Sequence, residues 1–191
     1  MYNSSGNCCL RSSAFIDASM FANSPPIKNF CRVLNFILNP SNGVITSVGA
    51  VIDARGLTNM TMTCSASPWA GITSPPPSTI LLPVGTIGTS ATWSLPANTR
   101  LIGAGDNISP STLSSGTIIR AVGASVSPLI QLGSSSLCSL PCTGISVENL
   151  TLDGQGQAIN GIVNQNATTN TFVDHVGLYQ ILGTGLYISG Q

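Results

Sequence analysis

Ionisable side chains are scarce in this chain, so the few that could do chemistry stand out. Six acids and six bases cancel, there is one histidine, and charged residues are 6% of the 191. Glu148, Asp153, Asp174 and His175 gather late in the chain. Glycoside hydrolysis needs two carboxylates flanking the scissile bond, one protonated and one ionised. A histidine titrates near neutral pH and can shuttle the proton. These four residues are therefore the catalytic candidates. The same residues have a structural alternative, because acids and asparagines at bends bond the turn backbone. Arg100 and Arg120 sit in short apolar runs and are the candidates for meeting a sugar acid, with a solvated or turn-bonding role as the alternative. Trp69 and Trp93 could stack on sugar rings, or pack the interior. No complete catalytic set is legible.

Metal and nucleotide chemistry are poorly served. The six acids are spread from Asp17 to Asp174, and a calcium site needs several oxygens gathered in one place. No metal ligand set and no cofactor is evident. Gly103-Ala-Gly105 lacks the third glycine of a dinucleotide loop, since Ile108 stands there, so these read as turn glycines.

Composition narrows the partners. Charge is 6% of the chain, against roughly 25% in an ordinary soluble domain. Nothing here could neutralise a phosphate backbone, which excludes a basic nucleic-acid binder. No run approaches the roughly 18 apolar residues of a membrane span. The polarity is uncharged, from 26 Ser, 18 Thr, 15 Asn and 20 Gly, which suits a β-rich surface facing neutral or sugar-like partners. Six cysteines with no Cys-x2-Cys pair point to an oxidising compartment, with buried free thiols as the alternative. Cys138 and Cys142 flank a short Ser-Leu-Pro turn and are the expected disulfide; the pairing of Cys8, Cys9, Cys31 and Cys64 stays open. The opening residues do not form a signal peptide. Asn-x-Ser/Thr sites occur at Asn3, Asn59, Asn107, Asn149 and Asn166, as expected by chance in such a composition.

The elements that must position these residues follow from periodicity. Residues 1–26 read as a poorly structured leader. Ile27 to Leu38 carries Ile27, Phe30, Leu34, Ile37 and Leu38 at three- and four-residue spacing, which predicts one amphipathic helix. Beyond it lie short apolar runs bounded by Gly, Pro, Asn or Ser. They are Val48–Asp53, Thr79–Leu82, Ala91–Leu95, Arg100–Ile102, Thr117–Ala121, Pro128–Leu132, Ile145–Val147, Leu150–Leu152, Gly161–Val163, Val176–Tyr179 and Leu186–Ile188. Val147, Glu148, Leu150 and Leu152 recur 26 residues later as Val173, Asp174, Val176 and Leu178. Gly161-Ile-Val recurs 24 residues later as Gly185-Leu-Tyr. Stacked passes of a parallel β-solenoid would give such a recurrence. Val147 and Leu150 have opposite parity, so a bend at Glu148-Asn149 is required to bury both. Asp174-His175 would be the same bend one pass later, placing Glu148 and Asp174 one above the other.

Leu81-Leu-Pro-Val-Gly-Thr86, Leu101-Ile-Gly-Ala-Gly-Asp106 and Ile145-Ser-Val-Glu-Asn-Leu-Thr-Leu-Asp-Gly154 occur in that order. The series, with Val51-Ile-Asp-Ala-Arg-Gly56 before it, resembles the N-terminal part of the pectate lyase superfamily domain over about residues 27–190. The resemblance implies an all-β fold, a right-handed parallel β-helix whose first coil is capped by the N-terminal α-helix. It implies an extracellular or cell-surface protein that interacts with polysaccharide, with lyase or hydrolase action in the whole protein. Calcium enters only through this resemblance. The Gly-His-Gly of the hydrolases is absent, and Asp174-His175-Val176 departs from it. The alternative is a non-catalytic adhesin or a tailspike-like shaft. Residues 27–191 then read as N-terminal coils of a domain truncated at its C-terminal end, without catalytic activity of their own. The open last coil would be the edge through which an oligomer forms.

Overall fold

The computed structural model describes residues 14–22, 28–45, 49–106, 116–123 and 125–189. Cys8, Cys9, Asn3, Asn107, Ile27 and Val48 lie outside them. The described residues are mostly strands with one α-helix.

Helix α1 spans Phe30–Leu38. It starts three residues later than the periodicity predicts, because Asn29 serves as its N-cap and accepts a hydrogen bond from the Arg32 amide at 3.2 Å. Phe30, Val33, Leu34, Ile37 and Leu38 are all fully buried. Asn39 stops the helix. Its side chain accepts from the Ser41 amide, opening a 3-10 turn at Pro40–Asn42.

Thirteen strands are described. They are β1 (Ala14–Asp17), β2 (Ala50–Asp53), β3 (Thr63–Cys64), β4 (Ser78–Leu81), β5 (Gly85–Thr89), β6 (Trp93–Leu95) and β7 (Thr99–Ile102), followed by β8 (Thr117–Ala121), β9 (Ile130–Leu132), β10 (Ser146–Gln157), β11 (Ile162–Asn164), β12 (Phe172–Ile181) and β13 (Leu186–Ile188). Every pairing between them is parallel. One sheet runs β1-β2-β4-β7-β10-β8-β5-β3, with β12 on β10, and a second runs β13-β11-β9-β6. The long β10 serves two ladders: its start pairs with β7 and its later part with β8. From β4 onward the chain therefore visits a first, a second and a third ladder in turn, and repeats.

Like residues stack across these passes. Ile16, Ile52, Ile80, Leu101, Val147 and Val173 are successive register partners in the first ladder. Ile87, Ile119, Leu152 and Leu178 form the column of the second. Trp93, Ile130, Ile162 and Leu186 form that of the third. Truncating such a buried aliphatic residue to Ala costs about 2–5 kcal/mol. The 26-residue recurrence is the true register of β10 on β12. Asn149 and His175 both take left-handed backbone, with φ 54° and 48°. That bend lets Val147 and Leu150 both be buried. Gly103 lies beside it, where a Cβ would run into the Asn149 carbonyl oxygen, so the turn role of this glycine is a matter of space.

Several expectations need correction. Residues within the expected leader carry structure: β1 pairs with β2 in register, and Asp17 accepts from the Ser19 amide to start the 3-10 turn Ala18–Phe21. Neither β3 nor β5 is visible as an apolar run, since Gly85–Thr89 is mostly Gly and Thr. Val147 and Leu150–Leu152 belong to one bent strand, β10, and Ile145 precedes it. Cys138 and Cys142 are bonded, and a second disulfide, Cys31–Cys64, ties α1 to β3. At the far end β12 pairs with β10 and β13 with β11, while Leu182, Leu186, Tyr187 and Ile188 are exposed. No helix among the described residues is long and apolar enough to cross a membrane.

Candidate functional site

The candidate acids stand on the outward positions of the first two ladders, where alternation leaves every second side chain facing away from the apolar columns. Glu148, on β10, is held from two sides. Ser146, two residues earlier on the same face, donates its hydroxyl to Oε1 at 2.6 Å. Arg100, the register partner of Ser146 on β7, donates Nε and Nη2 to Oε1 at 3.1 and 3.0 Å, and Nη2 to Oε2 at 3.0 Å. The Glu148 side chain is 11% exposed and that of Arg100 50%. Glu148 is thus committed as an acceptor to its own neighbours.

Asp153 and Arg120 are direct register partners across β10 and β8. The Arg120 Nε donates to Oδ2 at 2.8 Å. Gln155 donates its amide to Oδ1 at 2.9 Å and its side-chain Nε2 to Oδ2 at 2.7 Å. Asp153 is completely buried, Arg120 about one-third exposed. This carboxylate closes the bend at Gln155 and Gly156 within β10 and is shut off from solvent.

Glu148 and Asp174 are register partners, as the spacing predicts. They do not act as a pair of acids, because Asp174 instead bonds His175. The Asp174 Oδ1 lies 2.8 Å from Nδ1 of the imidazole, and both side chains are more than half exposed. That hydrogen bond, then the charge of Asp174 and the weaker charge of Asp106, holds His175 above the usual histidine range. The pair resembles the base and orienting acid of a catalytic triad, yet among the described residues nothing nucleophilic bonds the ring.

A fourth pair was not legible. Arg55 Nε and Nη2 donate to Asp53 Oδ1 and Oδ2 at 2.9 and 2.8 Å, and the Arg55 amide adds a bond at 3.1 Å. The forked side-chain bonds hold Asp53 below the usual carboxylate value against the opposing effect of burial, and they raise Arg55. The signal was present as Asp-x-Arg, the spacing at which an arginine folds back over a turn.

Trp69 and Trp93 are buried, with ring centroids 6.5 Å apart and planes at 76°, so neither offers a face to a sugar. Among the described residues no three His, Cys, Asp or Glu side chains gather to hold a metal ion. An open groove of about 300 Å³ runs beside Arg100, lined by Val51, Thr79, Asn98 and Gly144 among others. No protein-family model, no curated protein and no solved structure matches the chain.

Proposed function

We propose that the chain is a run of coils from a right-handed parallel β-helix that engages polysaccharide outside the cell. The observation that carries this reading is the cyclic visiting of three parallel ladders with like residues in register. Two disulfides among the described residues are compatible with an oxidising compartment. Motifs that resemble the pectate lyase superfamily supply the polysaccharide. The coils act as a rigid binding surface and not as a catalyst. Glu148 and Asp153 are each committed to an arginine, and Asp174 to His175, so none of these candidate acids among the described residues is free to work with a base.

The non-catalytic shaft is the second reading, favoured by outward positions such as Thr79, Ser94 and Gln131, which carry no charge. Retention of the intact chain on immobilised polygalacturonate, pectic galactan and xylan, with product release assayed in parallel, tests the proposal. Retention without cleavage is expected. Passage through all three columns unretained would sink the polysaccharide reading and leave the shaft.

A further inference from the structure

Four arginines lie among the described residues, and three have a carboxylate: Arg55 has Asp53, Arg100 has Glu148 and Arg120 has Asp153. The two arginines that the sequence singles out for a sugar acid are thus already neutralised from within. Arg32 is the exception. It is exposed, and among the described residues no acid pairs with it.

Arg32 lines a cleft of about 210 Å³ between α1 and the segment after β3, with Asn29, Asn35, Ser65 and Ser67. No acid lines it. Both walls are fixed. Cys31, next to Arg32, is bonded to Cys64, next to Ser65. Asn35 donates Nδ2 to the carbonyls of Pro68 and Ala70, each at 2.9 Å. Asn29 donates Nδ2 to the Thr63 carbonyl at 2.7 Å while its Oδ1 caps the Arg32 amide. Asn29 therefore satisfies the Arg32 amide from within, and the charged residue lining the cleft is Arg32. A planar fork of donors with hydroxyls beside it matches a carboxylate. Walls locked before binding lower the ordering cost. The volume is below the ~300 Å³ at which ordinary ligand pockets begin, so the cleft admits the acidic edge of one unit and not a length of chain.

We propose that this cleft is a carboxylate-binding subsite in which Arg32 is the recognising residue. As a sugar-acid site it rests on the polysaccharide reading above; as a carboxylate site it does not. The test is calorimetric titration of the intact, oxidised chain with trigalacturonate, neutral galactotriose and sodium acetate, for the native protein and for Arg32→Met, Arg32→Lys and Arg100→Met. Trigalacturonate should bind, Arg32→Met should weaken it about tenfold or more, and Arg32→Lys should restore part of the loss. Arg100→Met should change it little, and galactotriose should not compete. Trigalacturonate binding unaltered by Arg32→Met would overturn the subsite and leave the polysaccharide reading standing. Arg32-dependent binding of acetate alone would keep the subsite and remove the sugar. No binding of any probe would overturn the subsite, and retention on the three columns would then decide the polysaccharide reading by itself. The exposed position of Arg32 makes folding of its variants a minor concern, and an unchanged far-ultraviolet spectrum checks it.

Discussion

Arg120→Ala and Asp153→Ala should not be equivalent, although they break the same bond. Removing the arginine leaves a carboxylate with no exposed surface and only the two Gln155 donors. Stranding one member of a buried pair costs about 3–5 kcal/mol, and the remaining Gln155 bonds put this case near the lower end. Removing the aspartate instead frees a guanidinium that is 30% exposed and can turn to water, so the loss is closer to that of a charge-assisted hydrogen bond, about 1.5–3 kcal/mol. The double variant removes the stranded charge and should be no less stable than Arg120→Ala alone. For a chain of 191 residues each kcal/mol moves Tm by about 2–4 °C, so Arg120→Ala should melt about 6–12 °C below the native protein. Urea titrations of all four proteins, read as a double-mutant cycle, measure the asymmetry. If Asp153→Ala proves the more damaging single change, then burial does not set the cost and the argument fails.

Three further outcomes follow from the same geometry. Reduction-proof Cys31→Ser/Cys64→Ser should cost about 3.7 kcal/mol and Cys138→Ser/Cys142→Ser about 1.9, by loop-closure entropy over separations of 33 and 4 residues; equal losses by urea midpoint would contradict this ordering. Gly103→Ala should be clearly destabilising, because its Cβ meets backbone at Asn149 and not a movable side chain, whereas Gly123→Ala, with open space around it, should suffer only from its positive φ. The His175 ring should titrate above ~6.5 by NMR and fall back in Asp174→Asn. Because the folded value is the raised one, its contribution to stability is full below ~6.5 and disappears as pH rises through the folded value.

The later part of the chain was legible because its passes are nearly equal in length. Ser146 pairs with Phe172 and Ile162 with Leu186, steps of 26 and 24 residues, so like residues recur visibly. Earlier steps are irregular. Ala50 pairs with Ser78, Ser78 with Thr99 and Arg100 with Ser146, steps of 28, 21 and 46. No fixed period survives such loops, and β5, built of Gly and Thr around Ile87, carries no apolar run to compensate. The bend at Asn149 could be read because parity forces it. The start of α1 could not, because Asn29 outweighs an apolar residue two places earlier. The acids were found but their partners were not: Arg100 and Glu148 are 48 residues apart, Arg120 and Asp153 33. Only register brings them together, and register was known for one pair of passes. Arg32 carries no signal in the sequence, because it lies on a helix that periodicity assigns to packing, and it stands out only once the other three described arginines are seen to be paired.

The Cys31–Cys64 bond also alters how this chain would answer to force. In parallel ladders the hydrogen bonds run from strand to strand, so a pull along the stacking direction loads them one pass at a time and the chain should peel in small steps. The cross-link removes one of those steps. Residues between the two sulfurs, 33 apart in sequence, cannot lengthen under tension, which hides roughly 110 Å of thread at about 3.3–3.6 Å per residue. That concealed length includes most of the helix and all of β2. In a reducing medium it would be released, so the oxidised molecule behaves as a stiff end joined to an unravelling remainder.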